Sequence, residues 1–182
     1  MMTSSTAVLL AILGWPLVAV GQMQPPPSTR FQVVSGANFE GAIIPASHNL
    51  DWHRDNGVTS FWTPTPEDVE QAETLLLAYL KAAAEDPLTV SPPLNTVGTC
   101  SPPSSVGELR ALLASLSQYK RQYVGRAYGS GRRILVNGFR ETLGRDWRER
   151  LIDGIDGGCA IWHFDLDLRE RRVVRFWCEP AA

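Results

Sequence analysis

Four groups of residues in this chain carry side chains whose chemistry depends on their company. The densest is His48, Asp51, His53 and Asp55, in the run SHNLDWHRD. Imidazoles and carboxylates are the donors that zinc and other divalent first-row ions take, and an ion held there would support metal-assisted hydrolysis. The spacing matches no helical His-x-x-x-His pattern, and polar residues are ordinary in a loop, so the same letters also read as a solvated segment. A second group, His163, Asp165 and Asp167, alternates along IWHFDLD. Alternate residues of a strand share a face about 6.5–7 Å apart, which admits a His/Asp pair for acid–base work. The opposite face would carry Trp162, Phe164 and Leu166, so a half-buried strand explains the pattern equally: aromatics into the core, His163 and its acids toward solvent.

Cys159 is a third candidate, as a nucleophile. Four residues along a strand place His163 roughly 13 Å away, beyond hydrogen-bond reach, and a disulfide or a buried thiol is the plainer reading. The fourth group is Tyr119, Tyr123 and Trp147 with Arg121. On the concave side of a sheet these would line a pocket for a small molecule, a sugar-like ligand or a peptide. A binding role of that kind expects Arg121→Ala and Trp147→Ala to leave the fold intact.

The elements that must position these groups are uneven in clarity. Thr65-Pro66-Glu67-Asp68 opens a helix: Thr65 caps it, Pro66 takes the first position where a missing N–H costs nothing, and the acids face the positive end of the dipole. Val69, Ala72, Leu76, Leu80 and Ala83 then share one face, widened by Leu75 and Tyr79, with Glu70, Glu73, Lys81 and Glu85 off its centre. The helix is expected over 65–86, ending before Pro87. Leu88 to Ser104 is proline-rich loop. A second helix is expected over 105–117, with Ser105 and Glu108 as a capping box and Leu109, Leu112, Leu113 and Leu116 as its apolar face. Period-two sequence follows from 119 to 178: a hairpin across Gly129-Ser130-Gly131, then two strands from Cys159 to Leu168 and from Val173 to Cys178. Residues 31–62 read as irregular, with β-prone pieces at Phe31–Val34 and Ala42–Ile44. The sum is an α+β domain, an amphipathic helix on a curled antiparallel sheet of about four strands.

The 182 residues include 44% hydrophobic and 20% charged, an ordinary globular balance that excludes wholesale disorder. A net charge of −2 argues against a nucleic-acid binder, although the charge is unevenly spread: 12 of the 13 cations from Tyr119 onward are arginines. Ala7 to Val20 is an apolar run broken by Pro16 and followed by Ala19-Val20-Gly21, a small-x-small cleavage triplet. Residues 1–21 are therefore expected to be a signal peptide and 22–30 (from Gln22 through the prolines of QMQPPPST) an extended tether, with no membrane span left after cleavage. The leader's first residues, Met1 to Thr6, carry no Lys or Arg, which keeps an uncleaved anchor and a structural envelope protein open as an alternative. Cys100, Cys159 and Cys178 permit one disulfide in any of three pairings and form no CxxC metal pattern. Nothing implies a cofactor.

The segments WTPTPEDV, YKRQYVG, ILVNGF and IDGGC, the last leading into an aromatic-rich strand, resemble an uncharacterised family of exported bacterial proteins. The resemblance spans Phe61 to Asp167. It implies export and a helix-plus-sheet, cystatin-like shape, and it implies no chemistry. In that family a cysteine often follows the NGF element; here the position is Arg140, which leaves Cys159 to pair with Cys100, with Cys178 or with nothing. The function expected from all of this is non-enzymatic binding of a ligand or partner through the sheet by an exported domain, with a hydrolase using the His48–Asp55 loop as the rival.

Overall fold

The computed structural model describes residues 30–48, 50, 57–86, 106–143, 146–152 and 158–179. Residues 1–29, which hold the expected leader and all of the expected tether but Arg30, lie outside them, as do Asp51, His53, Asp55, Cys100 and Ser105. The chain is α+β, two helices and an open, mixed sheet of seven strands. The strands are β1 (Gln32–Gly36), β2 (Phe39–Ile43), β3 (Ser60–Trp62), β4 (Tyr119–Tyr128), β5 (Gly131–Arg140), β6 (Ile161–Asp167) and β7 (Arg172–Cys178). The expectation of about four antiparallel strands is corrected to seven in a mixed sheet, of which β4-β5-β6-β7 is the antiparallel run within residues 119–178.

Residues 31–62, expected as irregular with β-prone pieces at Phe31–Val34 and Ala42–Ile44, are more ordered than that: β1 and β2 overlap the two pieces and β3 is additional. They supply three further strands, and β2 joins β4 in parallel, Glu40 opposite Lys120 through Ile43 opposite Tyr123. β3 continues along the same edge of β4 in the antiparallel sense, Trp62 opposite Gly125. One ten-residue strand thus has β5 along one side and two short strands end to end along the other. The hairpin between β4 and β5 turns through Gly129 at φ 60°, the left-handed conformation its first central position needs and glycine adopts without strain.

Helix α1 (Pro66–Glu85) begins as its sequence demands. Thr65 Oγ1 accepts from the Asp68 backbone N–H and the Asp68 carboxylate accepts from that of Thr65, a reciprocal capping box. Its buried face comprises Val69, Ala72, Leu76, Tyr79, Leu80, Ala83 and Ala84, laid over Ile134, Val136, Trp162, Phe164 and Leu166. Leu76 and Leu80, fully buried, each contribute about 2 kcal/mol by leaving water. Helix α2 (Val106–Ser115) leans on α1, and Arg110 Nε donates to the Ala84 carbonyl, which the end of α1 leaves without a helical partner. The sheet comes close beneath the aromatics: a Cβ at Gly138 would stand 2.2 Å from the Trp162 ring, so the indole lies directly on its neighbour's backbone.

The opposite face of the sheet is also covered, which the period-two reading did not foresee. His163 and Asp165, expected toward solvent, are 8% and 4% exposed, and Asp167 is half-buried. Ile44, Leu50, Val124 and Leu135 form one small core there, and Ala42, Phe139, Trp147 and Ile161 another. The second core is capped by a strap, 146–152, whose backbone is held by two amide side chains of the sheet. Gln122 Nε2 donates to the carbonyls of Trp147 (2.8 Å) and Arg150 (2.6 Å), and Gln122 Oε1 accepts from the Ile152 N–H (2.8 Å). Asn137 Nδ2 donates to the Ile152 carbonyl at 2.7 Å. Irregular backbone can lie on a buried face only when its polar groups are paired in this way.

Cys159 pairs with Cys178, closing 19 residues at one corner of the β6–β7 pair. This is one of the three pairings left open, and a sulfur held in a disulfide offers no thiolate, so Cys159 is not a nucleophile while the bond is intact. Reduction, or Cys159→Ser with Cys178→Ser, is expected to lower unfolding free energy by about 3 kcal/mol, read by urea titration with and without reductant. Gln122→Leu is expected to cost about 2–4 kcal/mol, with faster amide exchange in 146–152 than in β5, because three strap groups lose their partner at once. Unchanged exchange in the strap would show that it is held by its apolar contacts instead.

Candidate functional site

Three of the four residues expected to line a pocket come together, and one does not. Tyr119, Arg121 and Tyr123 project from β4 toward α1, whereas Trp147 belongs to the strap and packs on the other face of the sheet. The cleft that opens between α1 and the β1–β2 hairpin is lined by Arg121 and by none of the other three. All four are buried, Arg121, Tyr123 and Trp147 completely, so each is part of the fold, and the expectation that Arg121→Ala and Trp147→Ala would spare it is corrected.

What β4 builds is a charged knot between helix and sheet. Glu73, expected on the outer side of the helix, turns inward, with only 12% of its side chain exposed. Its Oε1 accepts the Tyr123 hydroxyl at 2.8 Å and lies 3.0 Å from Arg121 Nε, an ion pair approached off the N–H direction. Arg121 Nη1 donates to the Tyr119 carbonyl (3.1 Å) and Nη2 to the Leu116 carbonyl (3.2 Å), while the guanidinium rests between the rings of Phe39 and Trp162 at about 6 Å. A guanidinium tolerates this burial because its fork meets carboxylate and carbonyls together and stacks on aromatic faces. Burial raises the Glu73 carboxyl above its usual range against the opposing pull of Arg121 and the Tyr123 hydroxyl. Burial, then the Glu73 charge, hold Tyr123 well above the usual phenol.

Over this knot opens a cleft of about 320 Å³. The tip of the β1–β2 hairpin, Gly36 to Phe39, forms one wall, Glu70, Glu73, Thr74 and Leu77 of α1 the other, and Leu116 and Arg121 close it. Gly36 has no room for a side chain, since a Cβ would stand 2.3 Å from the Phe39 ring, and Phe39 in turn meets Tyr123 edge to face at 6.3 Å. The hairpin tip is thus positioned by the residues that carry the knot. The sequence signal that existed was Arg121 between Tyr119 and Tyr123; nothing local to α1 marked Glu73.

The remaining candidates have structural partners. His163 Nε2 is 2.7 Å from Glu179 Oε1 and its ring stacks on Trp177 at 4.8 Å. Asp165 meets Arg126 at 3.0 Å and Arg133 at 3.5 Å, and Asp167 accepts from the Glu170 N–H in the β6–β7 turn. His48 packs edge-on against Phe31 at 4.9 Å. Among the described residues no group of three or more His, Cys, Asp or Glu side chains is gathered as a metal site would need, and no helix is long and apolar enough to cross a membrane.

The chain matches no protein-family model, no curated protein and no solved structure.

The knot makes stability depend on pH in a defined direction. In Arg121→Met the Glu73 carboxylate keeps the Tyr123 hydroxyl but loses its counter-charge, at a cost of about 3–5 kcal/mol near pH 7. Its folded pKa then lies further above the unfolded value, so the native variant takes up a proton as pH falls and stability returns. The deficit relative to the parent is expected to shrink between pH 7 and pH 5 in urea titrations; a deficit that grows over that interval would contradict the assignment.

Proposed function

We propose that the chain is an exported, non-enzymatic binding domain whose ligand occupies the cleft between α1 and the β1–β2 hairpin. The observation that carries the reading is the cleft itself. It is concave, walled by Phe39, Leu77 and Leu116, and floored by one buried ion pair, the combination of apolar surface and few fixed polar groups that ligand sites use. Tyr119, Arg121 and Tyr123 serve it as support, holding Glu73 and the hairpin in place, so the sheet acts through its helix-facing side. Trp147 belongs to the strap and has no part in the site.

Export rests on the leader: its apolar run, its small-x-small triplet and the resemblance to exported proteins all favour it. A disulfide between Cys159 and Cys178 suits an oxidising compartment. The cystatin-like shape implied by that resemblance belongs to the same reading, with β4 to β7 as the sheet that the long helix crosses.

Two measurements test this. The mass of the product secreted by a bacterial host is expected to begin at Gln22; a retained leader would favour an envelope-anchored protein. In amide-resolved NMR, a mixed set of small amines, acids, alcohols and sugars is expected to shift Gly36–Phe39 and Glu70–Leu77, and Thr74→Trp, which fills the mouth of the cleft, is expected to abolish those shifts. Shifts concentrated elsewhere, or none, would overturn the cleft as the binding site.

A further inference from the structure

The polar groups of the cleft are asymmetric in charge. Among the described lining residues the carboxylates are Glu70, at the rim, and Glu73, at the floor, and the one cation is Arg121. Arg121 is fully buried and directs its guanidinium to Glu73 and to the carbonyls of Tyr119 and Leu116, so it presents nothing to an occupant. The Thr74 hydroxyl is turned to its own helix and donates to the Glu70 carbonyl at 2.9 Å. Glu73 differs. Its Oε1 receives both Tyr123 and Arg121, while no described donor reaches its second oxygen, and the carboxylate keeps an exposed fraction where the cleft opens. An acceptor that lacks a donor at the bottom of an apolar-walled cleft is a recognition element, because a ligand donor placed there regains the hydrogen bond that water loses.

Resting on the cleft as the binding site, we infer that its ligand is a cation on an apolar stem, an alkylammonium of the kind found in small amines and in lysine side chains. The ammonium meets Glu73 and is drawn in past Glu70, and the stem lies along Phe39, Leu77 and Leu116. A carboxylate or phosphate would meet two like charges with no reachable cation. An alcohol would gain the hydrogen bond without the charge, and charge-assisted bonds are about twice as strong. The groups that face Glu73 are Arg121 and Tyr123 from β4 and Glu70 from its own helix, and the hairpin wall, Gly36 to Phe39, carries no charge. Burial favours the protonated Glu73, so an arriving cation stabilises the ionised form and binding weakens as pH falls.

The test uses three probes with one stem, hexylamine, hexanol and hexanoate, added to the full secreted protein and followed at Gly36–Phe39 and Glu70–Leu77 by amide-resolved NMR. Hexylamine is expected to bind at least roughly tenfold more tightly than hexanol, with hexanoate weakest. In Glu73→Gln, which retains an acceptor for Tyr123, that preference is expected to disappear. Should this variant fail to fold, the parent protein carries the same question: hexylamine affinity is expected to fall from pH 7 to pH 5 while that of hexanol stays level. Hexanol or hexanoate binding in the cleft as tightly as hexylamine would overturn the ligand class and leave the cleft standing. No shift in the cleft with any probe would overturn both. A blocked lysine amide binding more tightly than hexylamine would identify the source as a protein side chain, and weaker binding would identify it as a free amine; either supports the inference.

Discussion

A guanidinium with no exposure to water, set between a helix and a sheet, organises this protein. Arg121 could not lie there alone, since an unpaired charge in that position would cost several kcal/mol. Its requirements fix its neighbours. Glu73 must face inward, which sets the rotation of α1; the carbonyls of Leu116 and Tyr119 must converge, which sets where the chain leaves α2 and enters β4. Phe39 must lie alongside, which brings the β1–β2 hairpin over the helix. The cleft is the space left between elements whose positions are decided by one side chain. Replacing such a pair by well-packed apolar residues is often neutral for stability, so what the pair adds is geometric definition, here a single rotation of the helix that leaves Glu73 lining the cleft.

The parts of the fold that announce themselves locally were legible in the sequence. Thr65-Pro66 with Asp68 can only open a helix, Gly129-Ser130-Gly131 between two β-prone runs can only turn a hairpin, and Trp162, Phe164 and Leu166 are on the core side as their alternation requires. What was not legible depends on partners remote in the chain. Within residues 31–62 only the β-prone pieces at Phe31–Val34 and Ala42–Ile44 could be read, and they overlap β1 and β2; that β2 and the unforeseen β3 would both pair with β4, about sixty to eighty residues later, had no local signal. Glu73 looked like any acid on the outer side of a helix until Arg121 reached it.

The second face of the sheet taught a different lesson. His163 and Asp165 alternate with aromatics, and alternation alone places them in solvent; Gln122 and Asn137, on the same face, are buried with them. They are buried because two amides can pair with a strap of backbone as well as water can, and because Asp165 is shared by two arginines. A sign of this was present: ILVNGF has Ile134, Leu135, Val136 and Phe139 on both faces, as strands covered on two sides do. The arginines follow the same logic. Arg132 lies over Trp62 at 3.8 Å, Arg133 over Tyr128 at 4.2 Å and Arg148 over Trp147 at 4.2 Å, planar cations covering rings at the margins where lysine would cover less.

The parallel seam between β2 and β4 sets the order in which this chain can assemble. The β1–β2, β4–β5 and β6–β7 hairpins close through short turns and β5 reaches β6 through residues 141–160, all within sequence-local segments, but joining β2 to β4 requires Glu40 to find Lys120 across both helices. Contacts of such separation form last, since the entropy of closing the intervening chain must be met before any pairing rewards it. Until that moment one long side of β4 stands open, an unpaired edge in the middle of what will be the sheet. Every molecule would pass through this state as it folds, and the yield of folded protein would be governed by how quickly residues 31–62 return to close that edge.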